Sequence, residues 1–338
     1  MRVYLPTRDV CSLATEDDRL LANFQRYNRG QEGVEFVDAA READVIVLFE
    51  QFSFKRWDYK DSLRDSWLRE FSDRVFTINY DDHGRGHLPG CYTSLNTRTF
   101  DPLLHRACAY PRTYNEYAQA ARPTGSSLDE PTPRLLFSFC GTLASHPVRK
   151  AMARELSGRA DGVIEQVEQT FHQHTDVQKR AFIELALDSS FVLCPRGWSP
   201  STYRLFEVMA LGRCPVVISD EWVPIDGIAW EECSIRIRES RTSTILATLL
   251  ERKRDAPRLG AYARRIWEES LSVENRNKQY LRSILDIHRT EATQLRTPWA
   301  DRYAHWSSWR FYWANGWTLP QRARSKLARV LNKPARKS

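Results

Sequence analysis

A short polar loop between two apolar runs holds the side chains of this chain that are best suited to chemistry. It lies within FVLCPRGWSPSTYRLFEVMALGRCPVVI, residues 191–218, and contains Arg196, Gly197, Ser201 and Arg204. Guanidinium groups, hydroxyls and backbone N–H groups at the start of a helix are donors that suit a phosphate. The loop is therefore predicted to bind an anion through Arg196, Ser201 and Arg204.

One acidic residue interrupts the apolar helix that follows this loop. Every residue from Leu205 to Leu211 except Glu207 is apolar, so its carboxylate is expected in a poorly hydrated place that must supply donors. One interpretation is a structural pair with Arg204, one helical turn earlier. The other is that Glu207 accepts hydrogen bonds from ligand hydroxyls, such as those of a ribose, beside a diphosphate held by the loop.

A second anion-binding element is predicted earlier in the chain. Gly141 follows the strand-like run RLLFSFC, and Ser145, Pro147 and Arg149 open the next helical stretch. Ser145 is suited to cap this helix, and Pro147 suits its first turn. A glycine turn before a helix, with Arg149 one turn inside, favours an anion site, although such joints between strands and helices are also common without a ligand.

Parallel sheets must position these residues. Segment 191–218 is predicted as strand, loop, helix and strand, and the right-handed crossover of such a unit brings the loop to the carboxyl edge of the sheet. Apolar runs alternate with helical stretches on both sides of residues 121–133, which are rich in Pro, Gly and Ser. The pattern predicts two α/β domains, 1–130 and 131–290, and an aromatic helix with a basic tail over 291–338.

A polar turn in the first domain is a candidate for the catalytic base. Asp81, Asp82 and His83 follow the predicted strand 75–79. A reaction at a hydroxyl group needs a base within hydrogen-bond reach, and Asp82 and His83 are the preferred candidates for such a base. Glu50 and Asp9 also follow strands at this edge and compete for the role. The alternative is a solvated polar turn without a catalytic role.

The run from Phe191 onward resembles the signature of the exostosin-like glycosyltransferases, and the resemblance extends over residues 135–237. It rests on Phe191, Leu193, Cys194, Pro195, Gly197, Ser201, Arg204, Phe206, Glu207, Gly212, Pro215, Val216, Val217, Ser219, Asp220 and Pro224. The resemblance implies an α/β fold of the GT-B type, in which two Rossmann-like domains with parallel sheets face an interdomain cleft and C-terminal helices follow.

The same resemblance implies a reaction and its residues. A sugar would be transferred from a nucleoside-diphosphate donor with inversion at the anomeric carbon. Arg149, Arg196, Ser201 and Arg204 would hold the diphosphate, and Glu207 would hold the ribose. Enzymes of this kind also have a glycine loop at the donor phosphates, a role that falls to Gly141.

No metal or cofactor is expected. Metal-dependent glycosyltransferases of the GT-A fold hold a divalent ion with a D-x-D triplet, and this chain contains no such triplet. A GT-B enzyme instead neutralises the leaving diphosphate with arginines and helix dipoles. His172 and His174 are interpreted as surface histidines, because no Cys or acidic cluster completes a metal site around them. The nucleotide sugar is then a substrate, not a cofactor.

The charge distribution argues against a nucleic-acid partner. The net charge is +7, but seven Lys and Arg and no acids lie in residues 319–338, so the rest of the chain is neutral. Seven cysteines without a C-x-x-C pair, and a start without the apolar core of a signal peptide, lead us to expect a cytoplasmic protein. Ala323, Leu327, Val330 and Leu331 have helical spacing among the basic residues. This spacing suits peripheral contact with an anionic membrane at its inner face, and the alternative is a disordered tail.

The resemblance, taken with these patterns, implies a metal-independent, inverting glycosyltransferase of polysaccharide biosynthesis. It would transfer a sugar from a nucleotide-sugar donor to a glycan or lipid-linked acceptor hydroxyl. The alternative is a non-catalytic subunit that binds a nucleotide or glycan and partners another transferase. Donor hydrolysis or transfer by the purified protein separates the two.

Overall fold

The computed structural model describes residues 1–50, 66–82, 86, 88–112, 115–120, 133–167 and 174–291. The strands of this part are β1 Arg2–Tyr4, β2 Glu35–Phe36, β3 Val45–Glu50, β4 Val75–Asn79, β5 Gly90–Tyr92, β6 His105–Ala107, β7 Leu135–Gly141, β8 Gly162–Gln166, β9 Ser189–Pro195, β10 Cys214–Ile218 and β11 Ile235–Ile237. The helices are α1 Asp18–Asn28, α2 Ser66–Glu70, α3 Glu116–Ala120, α4 Pro147–Leu156, α5 Asp176–Leu187, α6 Tyr203–Ala210, α7 Trp230–Cys233, α8 Ile245–Arg252, α9 Ala256–Ile266 and α10 Val273–Glu291.

The first sheet contains six parallel strands in the order β2-β1-β3-β4-β5-β6. Its central strand β3 is apolar on both faces because successive side chains point to opposite sides. Val45 and Val47 join the core beneath α1, and Ile46 joins the core against α2. The register pairs Glu50 with Asn79, so the polar residues that end β3 and β4 lie side by side.

The second sheet contains five parallel strands in the order β11-β10-β9-β7-β8. Helix α4 packs on one face of this sheet, and α5 and α6 pack on the other. Because the strands are parallel, β7, β9 and β10 end at the same edge. Helices α4 and α6 therefore begin at that edge, and their first turns face the interdomain space.

The C-terminal helix α10 leaves the second domain and packs on the first. Tyr280, Leu281, Ile284 and Ile287 are buried in the core formed by α1 and the first sheet. The hydroxyl of Tyr280 donates to the carbonyl oxygen of Ala109 at 2.7 Å. Within the described residues, the chain therefore passes between the two domains twice.

The predicted GT-B architecture is confirmed, with two Rossmann-like parallel sheets and C-terminal helices. The sequence pattern had not indicated β5, β6 or α3, because these short elements contain no continuous apolar run. Residues 121–132 and 292–338 are not described, so the domain limits at 130 and 290 remain predictions. None of the described helices is long and apolar enough to span a bilayer.

Candidate functional site

A pocket of about 250 Å³ lies between the carboxyl edges of the two sheets. Asp82 and Tyr110 line it from the first domain, and the start of α6 lines it from the second. Six of the eight predicted site residues lie on its wall: Asp82, Gly141, Arg149, Ser201, Arg204 and Glu207. The parallel topology brings them together from segments that are far apart in sequence.

Arg149 connects the two loops that form the pocket floor. Its guanidinium donates to the carbonyl oxygens of Arg196 at 2.8 Å, Thr142 at 2.9 Å and Pro195 at 3.2 Å. The side chain is buried, and this burial together with the nearby charge of Arg204 lowers the pKa of Arg149 to about 9. Three of the five N–H donors of a guanidinium are used in this way, and the remaining donors are available to a ligand.

Arg204 lies at the first turn of α6 and keeps partial exposure to the pocket. Its guanidinium lies over the ring of Phe139, 4.7 Å from the centroid, and donates to the carbonyl oxygen of Cys140. Gly141 makes this position available, because a Cβ there would lie 2.7 Å from Nη2 of Arg204. Gly141 therefore contributes space for the arginine.

The prediction that Ser145 caps α4 is wrong, because His146 occupies the capping position. The Nδ1 atom of His146 accepts a hydrogen bond from the backbone N–H of Val148 at 3.3 Å. Ser145 is left on the pocket wall, 7% exposed, and its Oγ has no hydrogen-bond partner within the described part of the chain. A buried hydroxyl of this kind at a helix start is suited to an anionic ligand.

Glu207 faces the same pocket from the second turn of α6. Burial raises the pKa of its carboxyl group to about 7, although the positive charge of Arg204 opposes this effect. The backbone N–H of Asn115 donates to the carboxylate. Arg204 directs its guanidinium to Phe139 and Cys140, so the pairing of Glu207 with Arg204 that the sequence had left open is not formed.

Arg196 is not brought to this pocket. Its guanidinium forms ion pairs with Glu221 at 2.8 Å and with Glu239 at 3.4 Å. Glu221 also pairs with Arg98 of the first domain at 3.3 Å, so the charges form a network across the domain boundary. The backbone carbonyl of Arg196 still supports the floor of the pocket, because it accepts from Arg149.

Three hydroxyls join the domains beside the pocket: Ser94 and Tyr110 from the first domain and Ser199 from the second. We call them the hydroxyl cluster. The Ser94 and Ser199 oxygens are 2.6 Å apart, and Tyr110 Oη lies 2.9 Å from Ser94 Oγ. Ser199 Oγ also accepts from the backbone N–H of Ser201 at 3.1 Å. No sequence pattern indicated Ser94 or Tyr110, because their role depends on contacts across the two domains.

Asp82 is the candidate base that lines the pocket, whereas Asp81 is buried and Asp9 is exposed. His83 and His172 lie outside the described residues. Glu50 lies behind this turn and accepts a hydrogen bond from Asn79 at 2.7 Å. His174 also lines the pocket. Within the part of the chain that is described, no three His, Cys, Asp or Glu residues are grouped so that they could hold a metal ion.

Residues 102–253, which supply most of this pocket, match the family model described as the Exostosin GT47 domain. The predicted resemblance to the exostosin-like glycosyltransferases is confirmed. We call residues 102–253 the GT47 segment. It contains every predicted donor-site residue, whereas Asp82 and His83 lie before it.

Curated relatives agree with this assignment. The chain is 29% identical over 181 residues to a probable glucuronosyltransferase of Oryza sativa subsp. japonica, an alignment that covers 49% of this chain and 41% of the relative. It is 35% identical over 103 residues to an exostosin-1 homolog of Caenorhabditis elegans, covering 30% and 25%. A probable β-1,4-xylosyltransferase of Arabidopsis thaliana is 41% identical over 64 residues, covering 18% and 16%. The chain thus spans less than half the length of each of these three relatives.

Two solved structures resemble the whole chain distantly. A glycosyltransferase from Rickettsia africae superposes with a TM-score of 0.40 at 8% identity, covering 85% of this chain and 98% of that one. WaaG, a glycosyltransferase involved in lipopolysaccharide biosynthesis, gives a TM-score of 0.37 at 10% identity, covering 87% and 100%. Both TM-scores are below 0.5, so the assignment of the GT-B fold is based on the two parallel sheets of this chain and not on these structures.

Proposed function

We propose that the protein is a glycosyltransferase that moves a sugar from a nucleoside-diphosphate donor to a hydroxyl of a glycan or lipid-linked acceptor. The observation that carries this proposal is the pair of arginines that the pocket brings together. Arg149 and Arg204 lie close enough for Arg204 to lower the pKa of Arg149, and within the described residues neither forms an ion pair with a carboxylate. An anion between them would relieve this repulsion.

The surrounding groups favour a nucleoside diphosphate as that anion. The Ser145 hydroxyl, at the start of α4, supplies a further donor for a phosphate oxygen. Glu207, one turn beyond Arg204, is an acceptor for ribose hydroxyls. Arg196 is occupied by Glu221 and Glu239, so the proposed site uses its backbone only.

The proposed reaction is a single displacement across the pocket. Asp82 removes the proton from the acceptor hydroxyl as its oxygen forms the new bond to the anomeric carbon. The bond from that carbon to the diphosphate breaks, and the electron pair leaves with the diphosphate. Arg204, Arg149 and the N-terminus of α4 stabilise the charge that develops on this leaving group, without a need for a metal. Attack on the side opposite the leaving group inverts the anomeric centre.

A nucleotide screen on the purified full-length chain tests this proposal. One of UDP, GDP and CDP should raise the melting temperature, because a ligand that binds only the folded state stabilises it. The corresponding nucleotide sugars should then be hydrolysed slowly, and transfer to an acceptor should persist in excess EDTA. Binding without hydrolysis or transfer would favour the non-catalytic subunit. Activity that EDTA abolishes and manganese or magnesium restores would overturn the arginine-based mechanism.

A further inference from the structure

One aromatic side chain is exposed at the rim of the pocket. Trp198 is 61% exposed and lines the pocket. Its neighbours Gly197 and Ser199 are buried. Among the described residues, the other large apolar side chains with comparable exposure, Leu103, Val177 and Leu250, are aliphatic and lie away from the pocket.

The loop that carries Trp198 is fixed on both sides. A Cβ added at Gly197 would lie 3.1 Å from Nη2 of Arg149, so the backbone there packs closely on the pocket floor. On the other side, Ser199 belongs to the hydroxyl cluster and is 2.6 Å from Ser94 of the first domain. The indole is therefore presented from a rigid base, next to the proposed diphosphate site and on the same pocket as Asp82.

The chemistry of the indole indicates what it binds. A flat, uncharged aromatic face matches the C–H face of a sugar ring, whose hydroxyl groups can then remain in water. The pocket volume of about 250 Å³ is below the usual range for a ligand site, so it leaves no room for a sugar chain beside a nucleotide sugar. A longer sugar chain must leave the pocket over its rim. The high exposure of Trp198 fits such a chain better than a donor sugar enclosed in the pocket.

We propose that Trp198 is a stacking platform for a sugar ring of the acceptor glycan, and that it determines acceptor affinity. The inference rests on the proposed glycosyl transfer, because it places the acceptor beside the donor. Asp82 would contact the reacting hydroxyl, while Trp198 would hold a ring of the same chain. The substrate class is thus a glycan with at least one sugar ring whose C–H face is accessible for stacking.

The kinetic test compares Trp198→Ala, Trp198→Phe and the control Leu250→Ala, which removes an exposed apolar side chain on α8. Trp198→Ala should raise the KM for a glycan acceptor about tenfold, the range expected for loss of one stacked ring. Trp198→Phe should retain part of the affinity, and Leu250→Ala should match wild type. In both Trp198 variants the KM for the acceptor should rise more than the KM for the donor, and the nucleotide should still raise the melting temperature of all three variants. An unchanged acceptor KM in Trp198→Ala, or an equal loss of donor binding, would overturn the platform.

A binding test separates this inference from the proposed reaction. Saturation-transfer NMR with xylohexaose, cellohexaose and maltohexaose should show transfer from aromatic protons to sugar C–H protons in wild type for at least one probe. The signal should be lost in Trp198→Ala. If wild type binds a probe through Trp198 yet neither hydrolyses nor transfers any donor sugar, glycosyl transfer fails and the platform stands. If none of the three probes gives a signal with wild type, the platform is wrong.

Discussion

Arg149 and Arg204 enter one pocket with the same charge but different surroundings. Arg149 is buried and gives three of its N–H groups to loop carbonyls. Arg204 stacks over Phe139 and remains partly exposed to the pocket. Phosphate contacts should therefore depend more on Arg204, and the shape of the pocket floor more on Arg149.

Substitutions at Arg204 and Glu207 test the donor site by calorimetry. Arg204→Ala should weaken binding of the nucleotide sugar about tenfold or more, because a hydrogen bond to a charged group contributes about 1.5–3 kcal/mol. Glu207→Gln should weaken binding of the nucleotide sugar but leave inorganic diphosphate nearly unaffected, since its proposed partner is the ribose. Arg154, exposed on α4, provides the control Arg154→Ala. Wild-type nucleotide binding by both folded site variants would show that the donor site is misplaced.

Glu50 is a buried acid behind the candidate base. It is 1% exposed, and burial raises its pKa to about 7. Asn79 donates to Glu50 at 2.7 Å, and its own side-chain oxygen accepts from the backbone N–H of Asp81 at 3.2 Å. These hydrogen bonds hold the turn that leads to Asp82, so Glu50 positions the candidate base indirectly.

The protonation of Glu50 should make stability depend on pH. Its folded-state pKa of about 7 exceeds the unfolded value of 4.5, so the folded chain binds the proton more tightly. This stabilisation is present below about pH 4.5 and is lost as the pH rises through 7. In wild type, Glu50 should lower the free energy of unfolding by about 3 kcal/mol between pH 4.5 and 7. Glu50→Gln should remove this decrease, as measured by urea unfolding from pH 4.5 to 8. The free energy of unfolding of Glu50→Gln should still fall somewhat with pH, because the pKa of Glu207 is also raised to about 7.

Exposed Glu42 supplies the control for this measurement. Glu42→Gln should retain the pH dependence of wild type. A Glu50→Gln variant whose free energy of unfolding falls with pH as steeply as that of wild type would contradict the proposed burial effect.

Among the elements, β9, α6 and β10 could be predicted because their signals are local. Two apolar runs with a helical stretch and Gly212 between them define the unit without any knowledge of its neighbours. The cap of α4 could not be predicted in the same way. Ser145 and His146 are adjacent acceptors, and propensity favours serine, but the backbone brings Nδ1 of His146 to Val148.

The position of Arg196 shows why part of the site was not predictable. Its partners Glu221 and Glu239 follow it by 25 and 43 residues. They meet only because β10 lies next to β9, and β11 lies next to β10, in the sheet. The sequence motif contains Arg196 but not the two glutamates that form ion pairs with it. From the motif alone, the arginine therefore suggested a phosphate ligand.

The hydrogen bonds of Arg149 connect the segments that follow β7 and β9, and their contribution to stability can be tested. Arg149→Lys keeps a positive charge but cannot reproduce three directed N–H donors to three carbonyls. We expect a loss of roughly 1–3 kcal/mol in the free energy of unfolding, from net contributions of about 0.5–1.5 kcal/mol per hydrogen bond. Urea unfolding measures it, with Arg154→Lys on the same helix as the control. Equal stability of Arg149→Lys and wild type would show that the carbonyl contacts are dispensable.

For the whole molecule, the basic charge of residues 319–338 predicts contact with an anionic membrane. These residues lie beyond the described part of the chain, and their sequence has seven Lys and Arg and no acids. Each basic residue near an anionic bilayer contributes about 1 kcal/mol, so the segment is sufficient for reversible attachment. Deleting residues 319–338 should abolish salt-sensitive sedimentation with phosphatidylglycerol liposomes and leave transfer to a soluble acceptor intact. A full-length protein that ignores such liposomes at low salt would refute the membrane contact.

The return of α10 to the first domain limits how the two domains can move. The backbone crosses once between Ala107 and Glu116 and again between Ile266 and Val273, where α9 packs on the second domain and α10 on the first. Two domains joined by one backbone connection can rotate relative to each other about three axes. A second connection leaves chiefly the rotation about the line that joins the two connections. We therefore expect the pocket to open by rotation about the line through the two crossings, which moves the wall that carries Asp82 away from the wall that carries Arg204.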